Sequence, residues 1–197
     1  MRPDPTLLAF DTSAAHCAAA LLCAGKIYTR IDEMGRGQAE HLLPMLEEVL
    51  AAQGLAWRDL DAIGVGSGPG NFTGIRISVA AARGLALGLG IPAVGVSNFD
   101  AAAYGLPRPV EVLIPAPRDQ AYVQRLTENG TDAPRLVAPE DARPKAPTLP
   151  RPADEMIANI ALITAERFQS ETARPAPLYV RAADAAPARD APPVILP

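Results

Sequence analysis

Proline placement divides this chain before any other feature does. Proline has no backbone N–H and a fixed φ, so it interrupts helix interiors and central strands. Five of the 21 prolines precede Leu106, and sixteen lie from Pro107 onward. The first hundred residues are therefore free to build regular hydrogen-bonded layers. The remainder must use short elements and irregular connections. A length of 197 residues leaves room for one ordinary domain or two small ones. Hydrophobic residues make up 49%, enough for a buried core and against global disorder.

Periodicity organises the first part. Residues 7–11 (Leu-Leu-Ala-Phe-Asp) read as an apolar strand. Residues 17–23 read as a second, and Ala24-Gly25 turns the chain into a third at 27–31. Residues 39–53 have helical spacing, with Leu42, Leu46, Val49, Leu50 and Gln53 on one face. Pro44 predicts a kink there or a helix that starts near Leu43, and Gly54 ends it. Residues 62–66 form a buried strand, and a Gly-rich loop follows. A long helix then spans 72 to about 88, capped by Asn71 or Thr73. Residues 92–96 form another strand, and Ser97 caps a short helix ending near Gly105. Three antiparallel strands, then helix, strand, helix, strand, helix, is the order of a ribonuclease-H-like half-domain.

The second part is thinner. Strands are expected at 110–114 and 120–127, a turn at 128–131, a Pro-rich loop over 133–152, a helix over 153–168 and a last strand at 178–180. The division this implies is 1–105, a partner-binding half-domain; 106–181, a shortened second domain; and 182–197, a disordered tail rich in Ala, Pro and Asp.

Composition removes several functions. With 18 Lys+Arg against 22 Asp+Glu the net charge is −4, so nucleic acid is not gripped by charge alone. The N-terminus lacks the apolar stretch and cleavage site of a secretory signal. Residues 77–89, interrupted by Ser78 and Arg83, are read as too short for a membrane span. The expectation is a soluble cytoplasmic protein. Cys17 and Cys23 fall in one strand, about 20 Å apart, beyond disulfide reach. With only His16 and His41 besides, a zinc cluster has little to draw on.

Four motifs remain. The loop Gly64-Val65-Gly66-Ser67-Gly68-Pro69-Gly70-Asn71-Phe72-Thr73-Gly74 either cradles phosphate at a helix N-terminus or lets the helix pack tightly on its sheet. It matches neither a Walker A loop nor G-x-G-x-x-G. Asp11-Thr12-Ser13 is a metal- or phosphate-facing strand end or an Asx-type turn. Glu40-His41 lacks the two-His spacing of a metalloprotease and reads as a polar helix-face pair. Ala80, Gly84 and Gly88 make a groove with almost no side chain, facing the chain's own sheet or a partner helix. Glycine costs about 1 kcal/mol in a helix interior, so close approach by something is implied.

Taken together, Leu8-Ala9-Phe10-Asp11-Thr12-Ser13, Glu40-His41-Leu42-Leu43-Pro44-Met45-Leu46 and Gly66-Ser67-Gly68-Pro69-Gly70-Asn71-Phe72-Thr73-Gly74-Ile75-Arg76 resemble the TsaB (YeaZ) family. Gly84-Leu85-Ala86-Leu87-Gly88, Gly95-Val96-Ser97 and Pro177-Leu178-Tyr179-Val180-Arg181 fit the same pattern. The resemblance is dense over 7–105 and sparse beyond.

It implies an α/β actin-like ATPase (ASKHA) fold of two ribonuclease-H-like domains. It also implies a non-catalytic subunit of the bacterial machinery that makes threonylcarbamoyladenosine in tRNA. The implied partners are TsaD, the threonylcarbamoyltransferase, and TsaE, an ATPase. The chain alone would form a homodimer through the same surface, and tRNA would be met only through the complex. The implied contact residues are Glu40, His41, Leu42, Met45, Leu46, Val49, Arg76, Ala80, Arg83 and Gly84. No metal and no firmly bound cofactor is implied; Asp11, Thr12 and Ser13 are the weak candidates, and nucleotide at a partner interface stays open. One departure stands out. Where the family pattern has Asp-Ala-Arg, this chain has Pro115-Ala116-Pro117, retaining Ala116 and, further on, Tyr122. The alternatives are a stand-alone ATPase or glycoprotease-type peptidase acting through Asp11, and a homodimeric nucleotide-binding module.

Overall fold

A computed structural model describes residues 4–138 and 151–180. Strands β1 (Leu7–Asp11), β2 (His16–Cys23) and β3 (Lys26–Glu33) form an antiparallel meander. The β2–β3 turn is tight, with Ala24 at φ 47° and Gly25 at φ 70°. Helix α1 (Gln38–Ala51), a short 3-10 turn (Trp57–Asp59), β4 (Ala62–Gly66), helix α2 (Phe72–Leu89), β5 (Ala93–Val96) and helix α3 (Asn98–Ala103) follow. β4 pairs parallel with β1, and β5 parallel with β4, giving the five-stranded order β3-β2-β1-β4-β5. The antiparallel meander, the parallel helix-linked strands and the chain order of elements are those expected from sequence.

Strand alternation decides what packs on each face. Leu8, Phe10, Cys17, Ala19, Leu21, Ile63 and Val65 meet Leu42, Met45, Leu46, Val49 and Leu50 of α1 and Ile75, Val79 and Ala82 of α2. The opposite face is lined by Ala9, Ala18, Ala20, Val94 and Val96. These small residues admit helix α4 (Ala153–Arg167), whose Ile157, Ile160, Ala161 and Ile163 cover the sheet. At Gly64 an added Cβ would overlap Thr164 Oγ1.

A second, smaller antiparallel sheet comprises β6 (Val110–Pro115), β7 (Ala121–Thr127), β8 (Gly130–Thr131) and β9 (Arg135–Val137). It packs Val112, Ile114 and Leu126 on Phe99, Ala102 and Ala103 of α3. The segment read as a second domain thus splits its packing: its strands form this sheet, and its helix lies on the first one. The departure around Pro115 and Pro117 becomes the β6–β7 turn, with Arg118 and Asp119 both left-handed.

Several local expectations change. α1 runs unbroken through Pro44 from Gln38, not from Leu43. β9 lies inside the stretch expected to be loop. Residues 178–180 form no strand; Pro175 and Pro177 have no N–H for a ladder, and Leu178 N donates to Ser67 O at 2.8 Å. The expected tail 182–197 lies outside the described residues. α2 is, by length and composition, long and apolar enough to cross a membrane, contrary to the reading of 77–89 as too short. Its Gly74, Ile75, Ser78, Val79 and Ala82 are buried, and its opposite face is exposed.

Candidate functional site

The end of β1 meets the Gly-rich loop in a packed joint. Ser13 donates to Asp11 Oδ2 through both its N–H (3.0 Å) and its hydroxyl (2.8 Å), the Asx-type turn. Thr12 Oγ1 donates to the Gly74 carbonyl at 2.6 Å. Asn98 Nδ2 donates to Ser13 Oγ at 3.0 Å and to the Pro69 carbonyl at 2.9 Å. Asn71 N donates to Ser13 O at 2.6 Å, and Asn71 Oδ1 caps α2 by accepting from Gly74 N at 2.9 Å. The glycines are where no side chain fits: a Cβ at Gly74 would overlap the Thr12 carbonyl, at Gly70 the Ser13 carbonyl, and at Gly66 the Asp11 carboxylate.

A nucleotide, which an actin-like ATPase fold implies, does not fit these residues. At Gly70 and Gly74 the loop packs directly against the backbone of Ser13 and Thr12, with no room even for a Cβ. Beyond the joint lies a cavity of about 290 Å³ with Ile114, Met156, Ile157 and Ile160 on its walls. Its carboxylate, Asp11, has one buried oxygen with no hydrogen-bond partner among the described residues and would repel phosphate. Its arginine, Arg151, is spent on the Ala102 and Tyr104 carbonyls and on Glu155.

Nor are these residues arranged as a Ser-His-Asp triad. A serine nucleophile needs histidine between serine and carboxylate. Here Asp11 stands between them, accepting from Ser13 and lying 3.5 Å from His16 Nε2. Among the described residues no three His, Cys, Asp or Glu side chains converge as metal ligands.

The two helices present a different surface. Leu42, Met45, Leu46 and Val49 were expected to contact a partner, but they are 1%, 0%, 0% and 8% exposed. They form the core under α1, because the stripe at i, i+4, i+7 faces the sheet. The outward face of α1 instead carries Glu40, Leu43, Pro44 and Glu47. His41 is partly buried, with Nε2 2.7 Å from Asp32, which Arg30 also holds at 2.9 and 3.1 Å. Arg30 bridges on to Glu48 at 2.6 Å. These partners, Arg30 foremost, hold the Asp32 carboxyl below the usual aspartate range.

On α2 the expected residues do face outward: Arg76, Ala80, Arg83 and Gly84 are exposed. A Cβ at Gly84 or Gly88 would meet nothing, so the groove does not face the chain's own sheet. Three large side chains on or beside this face were missed: Leu87, 85% exposed, Phe72 and Tyr179. Leu87 lies one turn beyond Gly84, a spacing that was legible. Tyr179 was not, since it arrives from 103 residues away to accept from Arg76 Nε at 2.8 Å. The Arg76 guanidinium lies 3.8 Å from the Phe72 ring centroid, and the two rings are 4.9 Å apart.

The sheet order β3-β2-β1-β4-β5, with helices on both faces, is that of the ribonuclease-H-like half-domain the element order implied. The family model for TsaD, tRNA N6-adenosine threonylcarbamoyltransferase, matches residues 32–180. TsaB of Haemophilus influenzae is 44% identical over 99 residues, 50% of this chain and 42% of that protein. TsaB of Escherichia coli is 37% identical over 99 residues, 50% of this chain and 43% of that protein. This chain therefore spans less than half the length of those two relatives. An uncharacterised protein of Mycobacterium tuberculosis is 31% identical over 199 residues, 92% of this chain and 94% of its own. The solved YeaZ of Pseudomonas aeruginosa superposes with a TM-score of 0.70 at 27% identity, covering 89% of this chain and 99% of that one. The chain belongs to the TsaB/YeaZ family within the TsaD-type fold.

Proposed function

We propose that this chain is a non-catalytic scaffold subunit of the tRNA threonylcarbamoyladenosine machinery. It docks on a TsaD-type threonylcarbamoyltransferase through the outward faces of α1 and α2, joins a TsaE-type ATPase in the cytoplasm, and pairs with itself through the same surface when alone. The observation that carries this is the contrast between its two candidate sites. At the Asp11 joint the loop glycines pack directly on Asp11, Thr12 and Ser13, whereas Leu87 stands 85% exposed between two glycines whose Cβ positions are open. Two helix-interior glycines cost about 1 kcal/mol each and gain the chain nothing in its own packing.

The test is co-elution of the full chain with TsaD from the same organism, followed by light scattering. A one-to-one complex is expected, and Gly84→Leu is expected to abolish it. Since the new side chain meets open space and leucine is the better helix former, the variant is expected to melt no lower than the parent. ATP hydrolysis by the isolated chain, lost in Asp11→Ala, would replace this reading with that of a stand-alone enzyme.

A further inference from the structure

The docking face does not end with the two helices. The segment after α4 returns along the far half of α2, and Gly95 lies against Pro175, where a Cβ would sit 3.3 Å from its Cα. Between this arm and α2 runs an open groove of about 560 Å³. Its walls are Leu87, Ile91 and Pro92 on one side and 171–175 on the other, with Arg83 and Arg174 lining it as well. Neither arginine has an ion-pair or hydrogen-bond partner among the described residues. The acid on this groove, Glu171, accepts from Ala173 N at 2.8 Å with one of its oxygens. The groove is thus lined largely by apolar side chains, carries two arginines against one glutamate, and includes Gly84 itself.

We propose that this groove is a specificity pocket for the transferase partner, taking a large apolar side chain on a segment flanked by carboxylates. It rests on the scaffold reading above and adds to it the arm and the charge of the occupant. Apolar burial against Leu87 and Ile91 supplies contact area, and the two unpaired guanidinium groups select for acidic neighbours. Acidic residues flanking the apolar anchor would also make association salt-dependent.

The experiment measures the Kd of the full chain for TsaD from the same organism, at low and at high salt. It compares the parent, Gly84→Leu and the double variant Arg83→Glu/Arg174→Glu. Both arginines are exposed, so the double variant is expected to keep the parent's circular dichroism and melting temperature. The proposal expects a Kd at least tenfold weaker for the double variant, with the parent's salt dependence largely lost. If Gly84→Leu blocks binding while the double variant stays within twofold of the parent, the helix-face reading stands and the groove proposal is overturned. If the double variant weakens binding but the salt dependence is unchanged, the acidic occupant is wrong. If the parent itself forms no complex, the scaffold reading fails, and the pocket with it.

Discussion

Gly74 shows how a single residue fixes what this joint can be. Its missing Cβ is occupied by the carbonyl of Thr12, which is backbone and cannot swing aside. Gly74→Ala is therefore expected to cost about 2–3 kcal/mol, read as a lower urea midpoint. An unchanged or raised midpoint, as helix propensity alone would give, would mean that the Thr12 carbonyl can move aside and that the joint is loose. Cysteine reactivity is decided at the same scale. Burial first, then the Asp32 and Asp11 carboxylates, pushes the Cys17 thiol up to about 11. Its sulfur lies against Met34 Sδ and the Gln38 carbonyl, whereas Cys23 is only partly buried. Because the thiolate is the nucleophile, iodoacetamide at pH 8 is expected to label Cys23 and to reach Cys17 only after denaturation. Equal labelling of both would contradict the packing described for β2.

At the scale of elements, the link between β3 and α1 is electrostatic as well as apolar. Arg30, then His41, depresses the Asp32 carboxyl relative to the unfolded chain. A depressed carboxylate stabilises the fold above its unfolded pKa, and that contribution is lost as pH falls through the lower folded value. Asp32→Asn is accordingly expected to melt below the parent at neutral pH, with the gap closing as pH drops below about 4. A gap of constant size at every pH would assign the effect to packing. Elements with strong periodicity were legible: β1, β4 and the capped start of α2 fall where the residues placed them. What was not legible was direction. The α1 stripe reads equally well as interface or as core, and only the neighbouring sheet decides for core. β9 is three residues long and sits just after Pro134, too short to show any alternation. The arm at 178–180 has strand-like residues but no ladder, because prolines precede it.

At the scale of the molecule, the proline division proved to be a division of regularity rather than of packing. Helix α4 belongs to the later sequence yet covers the Ala9, Ala18, Ala20, Val94 and Val96 face of the first sheet. A fragment of residues 1–105 would leave that face in water. It is expected to be insoluble or to bind a hydrophobic dye, while a chain retaining α4 folds. A soluble, cooperatively melting fragment would instead establish the first hundred residues as an autonomous unit. The fold class was legible from element order, but the face proposed for the partner was legible only in part, since Tyr179 reaches it from a distant stretch of chain. That long return has a temporal meaning. A ribosome adds roughly 5–20 residues per second, and Arg76 must wait 103 residues for the ring that pins it. The first turn of α2 is therefore unfinished for on the order of 5–20 s after it is made. A half-made chain thus presents an incomplete α2 face until the arm has closed.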